Sequence, residues 1–215
     1  MASTCRILLV DDHDLVRRGI KVLIETKPGF EVCGEARTGR EAVQKAQELH
    51  PDIVVMDVVM PELNGLDATR QILKVAPMSQ VLIISQHDSG ELMRQIENAG
   101  ARGYIAKSDS ERELIGAMEA ISHHETFFRQ RTTERPAEDT SYTSTPNTIR
   151  RELTGREREV IQLLAEGKSS KEVSAELHIS TKTAETHRAN IMRKLKLHSV
   201  SDLVRYAIRN NLSRA

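Results

Sequence analysis

The stretch VVMDVVMPELNGL (54–66) decides the fold class and poses a problem in its own middle. Its run of Val and Met is typical of a fully buried strand, yet Asp57 lies within it and has no adjacent cation. A buried carboxylate without a counter-charge is strongly destabilising. A residue distant in the chain must therefore compensate the charge of Asp57.

Short apolar runs of this kind alternate with longer amphipathic segments through the first half of the chain. The runs are ILLV (7–10), VCGEA (32–36), IVVMD (53–57), VLIIS (81–85) and GYIA (103–106), and the amphipathic segments are 14–26, 39–49, 65–75, 90–98 and 110–122. Strands that alternate with helices predict a parallel sheet covered on both faces, with right-handed crossovers. The predicted fold class is a doubly wound, flavodoxin-like α/β domain.

Polar residues stand at the carboxyl ends of four of these predicted strands. Asp11 and Asp12 follow the first run, Asp57 ends the third, Ser85 ends the fourth, and Lys107 follows the fifth. In open α/β sheets, ligands bind outside the carboxyl ends of the strands. We therefore expect Asp57 at the floor of a shared cleft.

The cleft predicts a metal and a phosphate. Three carboxylates cannot share one site as anions without a cation, and Mg²⁺ prefers hard oxygen ligands and phosphate. Lys107 adds a positive charge and Ser85 a hydroxyl, so the set describes phosphoryl transfer onto Asp57. Taken singly, Asp11 or Asp12 could only cap a helix and Lys107 could only be solvated; the shared strand ends favour the site.

Four motifs together resemble the receiver domain of two-component response regulators, over residues 5–124. They are ILLVDDHDLVRRGI, VVMDVVMPELNGLDA, VLIIS and GYIAK. The resemblance implies that Asp57 accepts phosphate from a histidine kinase. It also implies that Asp12, Asp57 and the Val59 carbonyl ligate Mg²⁺ directly, while Asp11 contributes mainly through water.

The same resemblance implies roles for the remaining residues of the cleft. Ser85 and Lys107 are expected to hold the phosphoryl oxygens, and Tyr104 to turn inward as a switch when Ser85 moves toward the phosphate. Many receivers have proline after the lysine; here it is Ser108, so a cis bond would be costly. His87 resembles a position that tunes phosphate hydrolysis, and a solvated loop histidine is an equal alternative.

The net charge of zero hides an asymmetry between the two halves. Residues 1–128 hold 14 basic and 20 acidic residues, whereas residues 151–215 hold 13 and 8. The Thr-, Ser- and charge-rich stretch 129–148 reads as a flexible tether. We predict a receiver domain (1–124), a flexible linker (125–150) and a basic domain (151–215), whose charge is compatible with nucleic acid.

The basic domain is predicted to hold four helices, at 156–166, 170–177, 181–195 and 200–209. Ala184, Ile191 and Leu195 form one face of the third helix, with Arg188 at its edge. The opposite face carries small, polar and basic side chains: Lys182, Glu185, Thr186, Ala189 and Arg193. With the short helix before it, this segment predicts a helix-turn-helix whose second helix enters a major groove; a solvated basic face is the plainer alternative.

The whole run 153–208 resembles the LuxR-type four-helix DNA-binding domain. The resemblance implies that Glu185, Thr186 and Ala189 face base edges. It implies contacts with the DNA backbone for four residues: Lys182, Thr183, Arg188 and Lys194. The family also uses part of the last helix to dimerise.

The combination is similar to the NarL/FixJ subfamily of response regulators. It implies a cytoplasmic, homodimeric, double-stranded-DNA-binding transcription regulator switched by a histidine kinase, not an enzyme apart from slow self-dephosphorylation. No run of 18 apolar residues and no signal peptide occur, so no membrane role is expected. Cys5 and Cys33 are expected to be core thiols.

Two alternatives remain to be weighed. A phosphatase or phosphorelay protein would bind protein through its second half, but haloacid-dehalogenase-type phosphatases carry an acidic residue where Val59 stands. A constitutive DNA-binding protein would have no need of an intact acidic cleft. From the charge asymmetry we further expect the receiver to dock on helix 181–195 or its neighbours and mask the DNA-reading face.

Overall fold

The computed structural model describes residues 4–86, 89–128 and 153–213. The strands are β1 (Cys5–Val10), β2 (Phe30–Ala36), β3 (Ile53–Asp57), β4 (Gln80–Ser85), β5 (Gly103–Ala106) and β6 (Phe127–Phe128). The helices are α1 (Asp14–Thr26), α2 (Gly39–Leu49), α3 (Gly65–Val75), α4 (Gly90–Ala99), α5 (Glu111–Ser122), α6 (Gly155–Ala165), α7 (Ser170–Glu176), α8 (Thr181–Leu195) and α9 (Val200–Arg209).

The strands form one parallel sheet in the order β2-β1-β3-β4-β5-β6. The chain winds outward from β1 in both directions, which confirms the doubly wound α/β prediction. The sixth strand was not predicted, because Phe127 and Phe128 form too short a run to show a period. Phe127 pairs with Gly103, so the sheet extends past residue 124.

The two faces of the sheet carry separate apolar cores. Successive residues of β1 alternate between them: Ile7 and Leu9 pack with α1 and α5, whereas Leu8 and Val10 pack with α2, α3 and α4. Helices on both faces explain why the central strands read as unbroken apolar runs. The sheet is thereby covered on both faces, and its edge at the carboxyl ends of the strands is open to polar chemistry.

The second domain consists of α6 to α9 around its own core, as predicted. That core includes Val160, Ile161, Ala184, Ile191 and Leu203. No described helix is both long and apolar enough to cross a membrane. The predicted tether at 129–148 lies outside the described residues.

The two domains contact each other through α6 and α7. Arg158 of α6 forms an ion pair with the buried Asp67 of α3, with Nη2 2.7 Å from Oδ1. In the opposite sense, Arg40 of α2 lies 3.7 Å from Glu159 and 3.6 Å from Glu176. Charges therefore cross the interface in both directions, so a general attraction between an acidic and a basic half does not account for the docking.

Candidate metal centre and nucleic-acid interface

The polar ends of β1, β3, β4 and β5 meet at one edge of the sheet. Asp57 is the last residue of β3 and pairs with Ile84, and Ser85 is the last residue of β4 and pairs with Ala106. Asp57 and Ser85 are only 3% and 1% exposed. The parallel register thus brings together side chains that lie tens of residues apart in the chain.

Lys107 supplies the counter-charge that the local sequence around Asp57 lacks. Its Nζ lies 2.8 Å from Asp57 Oδ2 and 2.6 Å from Asp11 Oδ2. The other oxygen of Asp57 accepts a hydrogen bond from the backbone N–H of Val58 at 2.8 Å. All three charged side chains are buried, where an uncompensated charge would be most unfavourable.

A group of possible metal ligands surrounds this ion pair. One ligand atom from each of Asp11, Asp12, His13 and Asp57 lies within 4.8 Å of the others. Carboxylate oxygens are the donors that hard divalent cations prefer, so the residues present fit such a cation. Val59, whose carbonyl completes the expected set, lies two residues after Asp57 and is buried.

His13 was not among the residues expected from the sequence. Its Nδ1 lies 3.1 Å from Asp11 Oδ1 and 3.2 Å from Asp12 Oδ1, and its backbone N–H donates to Asp11 Oδ1 at 2.8 Å. The short Asp-x-His spacing, which allows an Asp side chain to bond the backbone two residues on, was the available signal. His13 therefore helps to orient Asp11.

Arg17 is a second residue that the sequence reasoning missed. It is 4% exposed and donates from Nη1 to the Asp11 carbonyl at 2.8 Å. Its other nitrogens reach Glu35 at 3.0 Å and Asp14 at 2.6 Å. Arg17 lies seven residues before Ile24, a spacing that places both on the buried face of α1. This spacing could have indicated that Arg17 is buried. Arg17 therefore holds the backbone of Asp11, directly after the end of β1.

The remaining predicted cleft residues have distinct positions. Tyr104 is 5% exposed and lies in the core on the α2–α4 face of the sheet. The bond between Lys107 and Ser108 is trans, as no cis bond occurs among the described residues. His87 lies outside the described residues.

The candidate DNA-reading helix α8 packs and exposes its faces as the sequence predicted. Ser180 caps the helix, accepting from the Thr183 N–H at 3.0 Å, and Ala184 and Ile191 are buried. The side chains assigned to the outer face are exposed: Lys182, Thr183, Glu185, Thr186, Ala189 and Arg193. This face is available to a partner without a change in the domain.

Two of the residues expected to contact the DNA backbone are less exposed than the rest. Arg188 is half-buried, in keeping with its place at the edge of the core face. Lys194 is also half-buried, and its Nζ lies 2.8 Å from Glu157 Oε2. Burial acts to raise the pKa of Glu157, but its bonds to Lys194 and Thr154 outweigh it and hold that pKa below its ordinary value.

The expected masking of the reading face is wrong in this structure. The receiver docks on α6 and α7, which are neighbours of α8, as expected. The side chains of Lys182, Glu185, Thr186 and Ala189 nevertheless remain exposed. The reason is that the interdomain contacts use the surfaces of α6 and α7, which carry Arg158 and Glu176, rather than the basic face of α8.

Comparison with known proteins agrees with this architecture. Residues 7–119 match the response regulator receiver domain family, and residues 151–207 match the bacterial regulatory proteins of the luxR family. The chain is 34% identical to the transcriptional regulatory protein LiaR of Bacillus subtilis over 207 residues, covering 96% of this chain and 98% of LiaR.

Solved structures give the same result. A LuxR-family response regulator from Aurantimonas sp. is 42% identical with a TM-score of 0.56, covering 58% of this chain and 89% of that one. The structure of RcsB in complex with DNA shares the fold, at 21% identity and a TM-score of 0.64, covering 95% of this chain and 98% of that one. The chain belongs to the two-component response regulators that join a receiver domain to a LuxR-type DNA-binding domain.

Proposed function

We propose that this protein is a transcription regulator switched by phosphorylation of Asp57 by a sensor histidine kinase. The observation that carries the proposal is the position of Lys107 between Asp57 and Asp11 at the carboxyl edge of the sheet. A buried carboxylate beside a cation and a metal-binding group is equipped to act as a nucleophile toward phosphorus.

In the proposed reaction, one oxygen of Asp57 attacks the phosphorus of the phosphohistidine. The bond from phosphorus to the histidine nitrogen breaks, and an acyl phosphate forms on Asp57. Lys107 and the Ser85 hydroxyl bind the phosphoryl oxygens. Lys107 is already beside Asp57, so charge stabilisation requires little reorganisation.

We assign the cation as Mg²⁺, held by Asp11, Asp12, Asp57 and the Val59 carbonyl. When bound, it would neutralise negative charge on the transferring phosphoryl group. The cluster of carboxylate oxygens supports a hard cation. Tyr104 is assigned as the switch; because it is buried, it would act by repacking within the core.

The acyl phosphate is proposed to persist as a signal rather than to turn over. Position 59, where a phosphatase of related chemistry would carry a general acid, is a buried valine. Any self-dephosphorylation would then be slow. This difference argues against the phosphatase alternative.

The output is proposed to be binding of a homodimer to double-stranded promoter DNA through α8. The base-facing residues are Glu185, Thr186 and Ala189, and the exposure of this face supports the assignment. The backbone contacts are assigned to Lys182, Thr183, Arg188 and Lys194. Of these, Lys194 would exchange its bond to Glu157 for a phosphate.

We further propose the division into a receiver (1–124), a linker (125–150) and a DNA-binding domain (151–215), acting in the cytoplasm beside the kinase. Near the start of the linker range, Phe127 and Phe128 still pair with the receiver sheet as β6. The two family matches, at 7–119 and 151–207, support the first and last of these.

Phosphorylation of the full chain by acetyl phosphate and Mg²⁺ tests the proposal. Mass spectrometry should show one added phosphate, absent in Asp57→Asn. Asp52→Asn provides a matched control, because Asp52 lies just before β3, at the opposite end of that strand. Full labelling of Asp57→Asn would refute the acceptor, and phosphorylation with no effect on binding to DNA selected from a random pool would refute the switch.

A further inference from the structure

The loop after the phospho-acceptor is held by a glutamine of the other domain. Gln162 of α6 is 0% exposed, and its Nε2 donates to the Met60 carbonyl at 2.8 Å. Its Oε1 accepts from the backbone N–H of Asn64 at 2.8 Å. One side chain therefore bridges the loop 58–64, near its beginning and at its end.

The orientation of this glutamine is determined by its partners. A carbonyl can only accept and a backbone N–H can only donate, so the amide of Gln162 has a single arrangement that satisfies both. Its Nε2 also donates to Glu166 Oε1 at 2.9 Å, and the same oxygen accepts from the Glu62 N–H at 3.1 Å. Gln162 and Glu166, the C-cap residue of α6, thus hold three alternate residues of the loop: Met60, Glu62 and Asn64.

Other contacts of α6 with the receiver are made to the side chains of α3 rather than to the backbone of this loop. Arg158 pairs with Asp67, and Glu159 accepts from Gln71 at 3.1 Å, both on α3. Gln162 is fully buried beneath the loop, in a place where a packing role alone would favour an apolar side chain. Its two bonds to backbone groups indicate that it holds the backbone.

The held segment includes the backbone carbonyl assigned to the metal. On one side of Val59, the Val58 carbonyl accepts from the Gly65 N–H at 2.7 Å. On the other side, the Met60 carbonyl accepts from Gln162. The two bonded carbonyls belong to the peptides 58–59 and 60–61, so the peptide that carries the Val59 carbonyl lies between two restrained peptides. A loop ordered in advance binds a ligand more tightly than one that must be ordered on binding.

We propose that Gln162 is a positioning residue for the metal site of the receiver, acting from the DNA-binding domain through the loop 58–64. This inference rests on the proposed function, which places a Mg²⁺ ligand at Val59. Docking of α6 makes the receiver a better Mg²⁺ binder. By thermodynamic linkage, Mg²⁺ strengthens docking by the same factor.

Mg²⁺ titration of the full chain by calorimetry tests the role. Gln162→Met keeps length and helix propensity but loses both hydrogen bonds to the backbone of the loop. We expect Mg²⁺ affinity to fall about fivefold, at the low end of typical couplings between sites. Gln71→Met is the matched control, since it makes the same change at the same interface on α3. It should leave the affinity within about twofold of the wild type.

Equal Mg²⁺ affinity in wild type and a folded Gln162→Met would overturn the inference, as would an equal loss in Gln71→Met. If Gln162→Met does not fold, hydrogen exchange in the wild-type protein tests the inference instead. The Asn64 amide should exchange with deuterium about fivefold more slowly in saturating Mg²⁺, and unchanged exchange would also overturn the inference. A wild type that binds no Mg²⁺ would instead remove the proposed metal site, together with the role built on it.

Discussion

Replacing Lys107 with methionine removes the cation that compensates two buried carboxylates. Lys107 Nζ lies 2.6 Å from Asp11 and 2.8 Å from Asp57, and the three side chains are 9%, 0% and 4% exposed. Removing one partner of a buried ion pair typically costs about 3–5 kcal/mol, because it leaves the other charge uncompensated. Without metal, we therefore expect Lys107→Met to lower the free energy of unfolding of the receiver by about 3 kcal/mol or more.

This loss of unfolding free energy is large enough to measure by thermal unfolding. For a domain of this size, about 1 kcal/mol shifts the melting temperature by roughly 3 °C, so the receiver transition should fall by about 10 °C in EDTA. Saturating Mg²⁺ should reduce the difference in melting temperature between variant and wild type, because a divalent cation among the carboxylates replaces the missing ammonium. Calorimetry in EDTA and in Mg²⁺ measures both effects.

Lys27→Met is the matched control. The Lys27–Glu119 pair is exposed by 40% and 46%, and exposed pairs contribute about 0–1 kcal/mol. If Lys107→Met and the wild type had the same melting temperature in EDTA, Lys107 would not be the counter-charge of Asp57. If Mg²⁺ left the difference unchanged, the carboxylates would not be a cation site.

Three further predictions follow from single contacts. Gly65→Ala should destabilise the receiver by about 2 kcal/mol or more in thermal unfolding, because an added Cβ would lie 2.0 Å from the Asp57 carbonyl oxygen. Arg158→Ala should weaken docking about tenfold, seen as a larger radius of gyration by X-ray scattering, because Asp67 loses its bidentate partner. Burial raises the pKa of the Cys5 thiol to about 11, so its alkylation at pH 8 should be roughly a hundredfold slower than that of a free thiol and should rise with pH toward 11.

Each of these predictions has a control within the chain. Gly19→Ala places its Cβ in open space on α1 and should not destabilise the receiver. Arg205→Ala removes only a long, exposed pair with Asp202 and should leave the scattering unchanged. Cys5 is measured in Cys33→Ser, so that one thiol is followed. Wild-type melting of Gly65→Ala, unchanged scattering of Arg158→Ala or rapid alkylation of Cys5 would each contradict the corresponding contact.

Most of the helices and strands, and the edge of the sheet at which the polar residues meet, could be predicted from the sequence. The bounds of β3, β5, α3 and α8 were as predicted, because apolar period and cap residues such as Ser180 are local properties of the chain. The convergence of Asp11, Asp57 and Ser85 also followed from the sequence. Parallel strands with right-handed crossovers necessarily bring their carboxyl ends to one edge.

The pairing of charges is a property of the folded chain that the sequence did not predict. Lys107 was expected to hold phosphate, and the structure shows that it also serves as the counter-charge of Asp57, 50 residues away. Arg17 is one of three basic residues in α1, yet it is buried and donates to the Asp11 carbonyl. Ion pairing depends on distance and burial after folding, which no local pattern encodes.

The relation between the two domains was likewise a tertiary property. The charge asymmetry suggested that the receiver would dock on α8 or its neighbours and mask the reading face. The contacts run through the neighbours α6 and α7 and leave that face exposed, with Gln162 bonded to Met60, 102 residues away. Net charge acts over long range and is screened, whereas a buried interface is selected by matched donors and acceptors at short range. The buried Gln162 provides both a donor and an acceptor for the loop backbone. The total charge of each half does not specify these contacts.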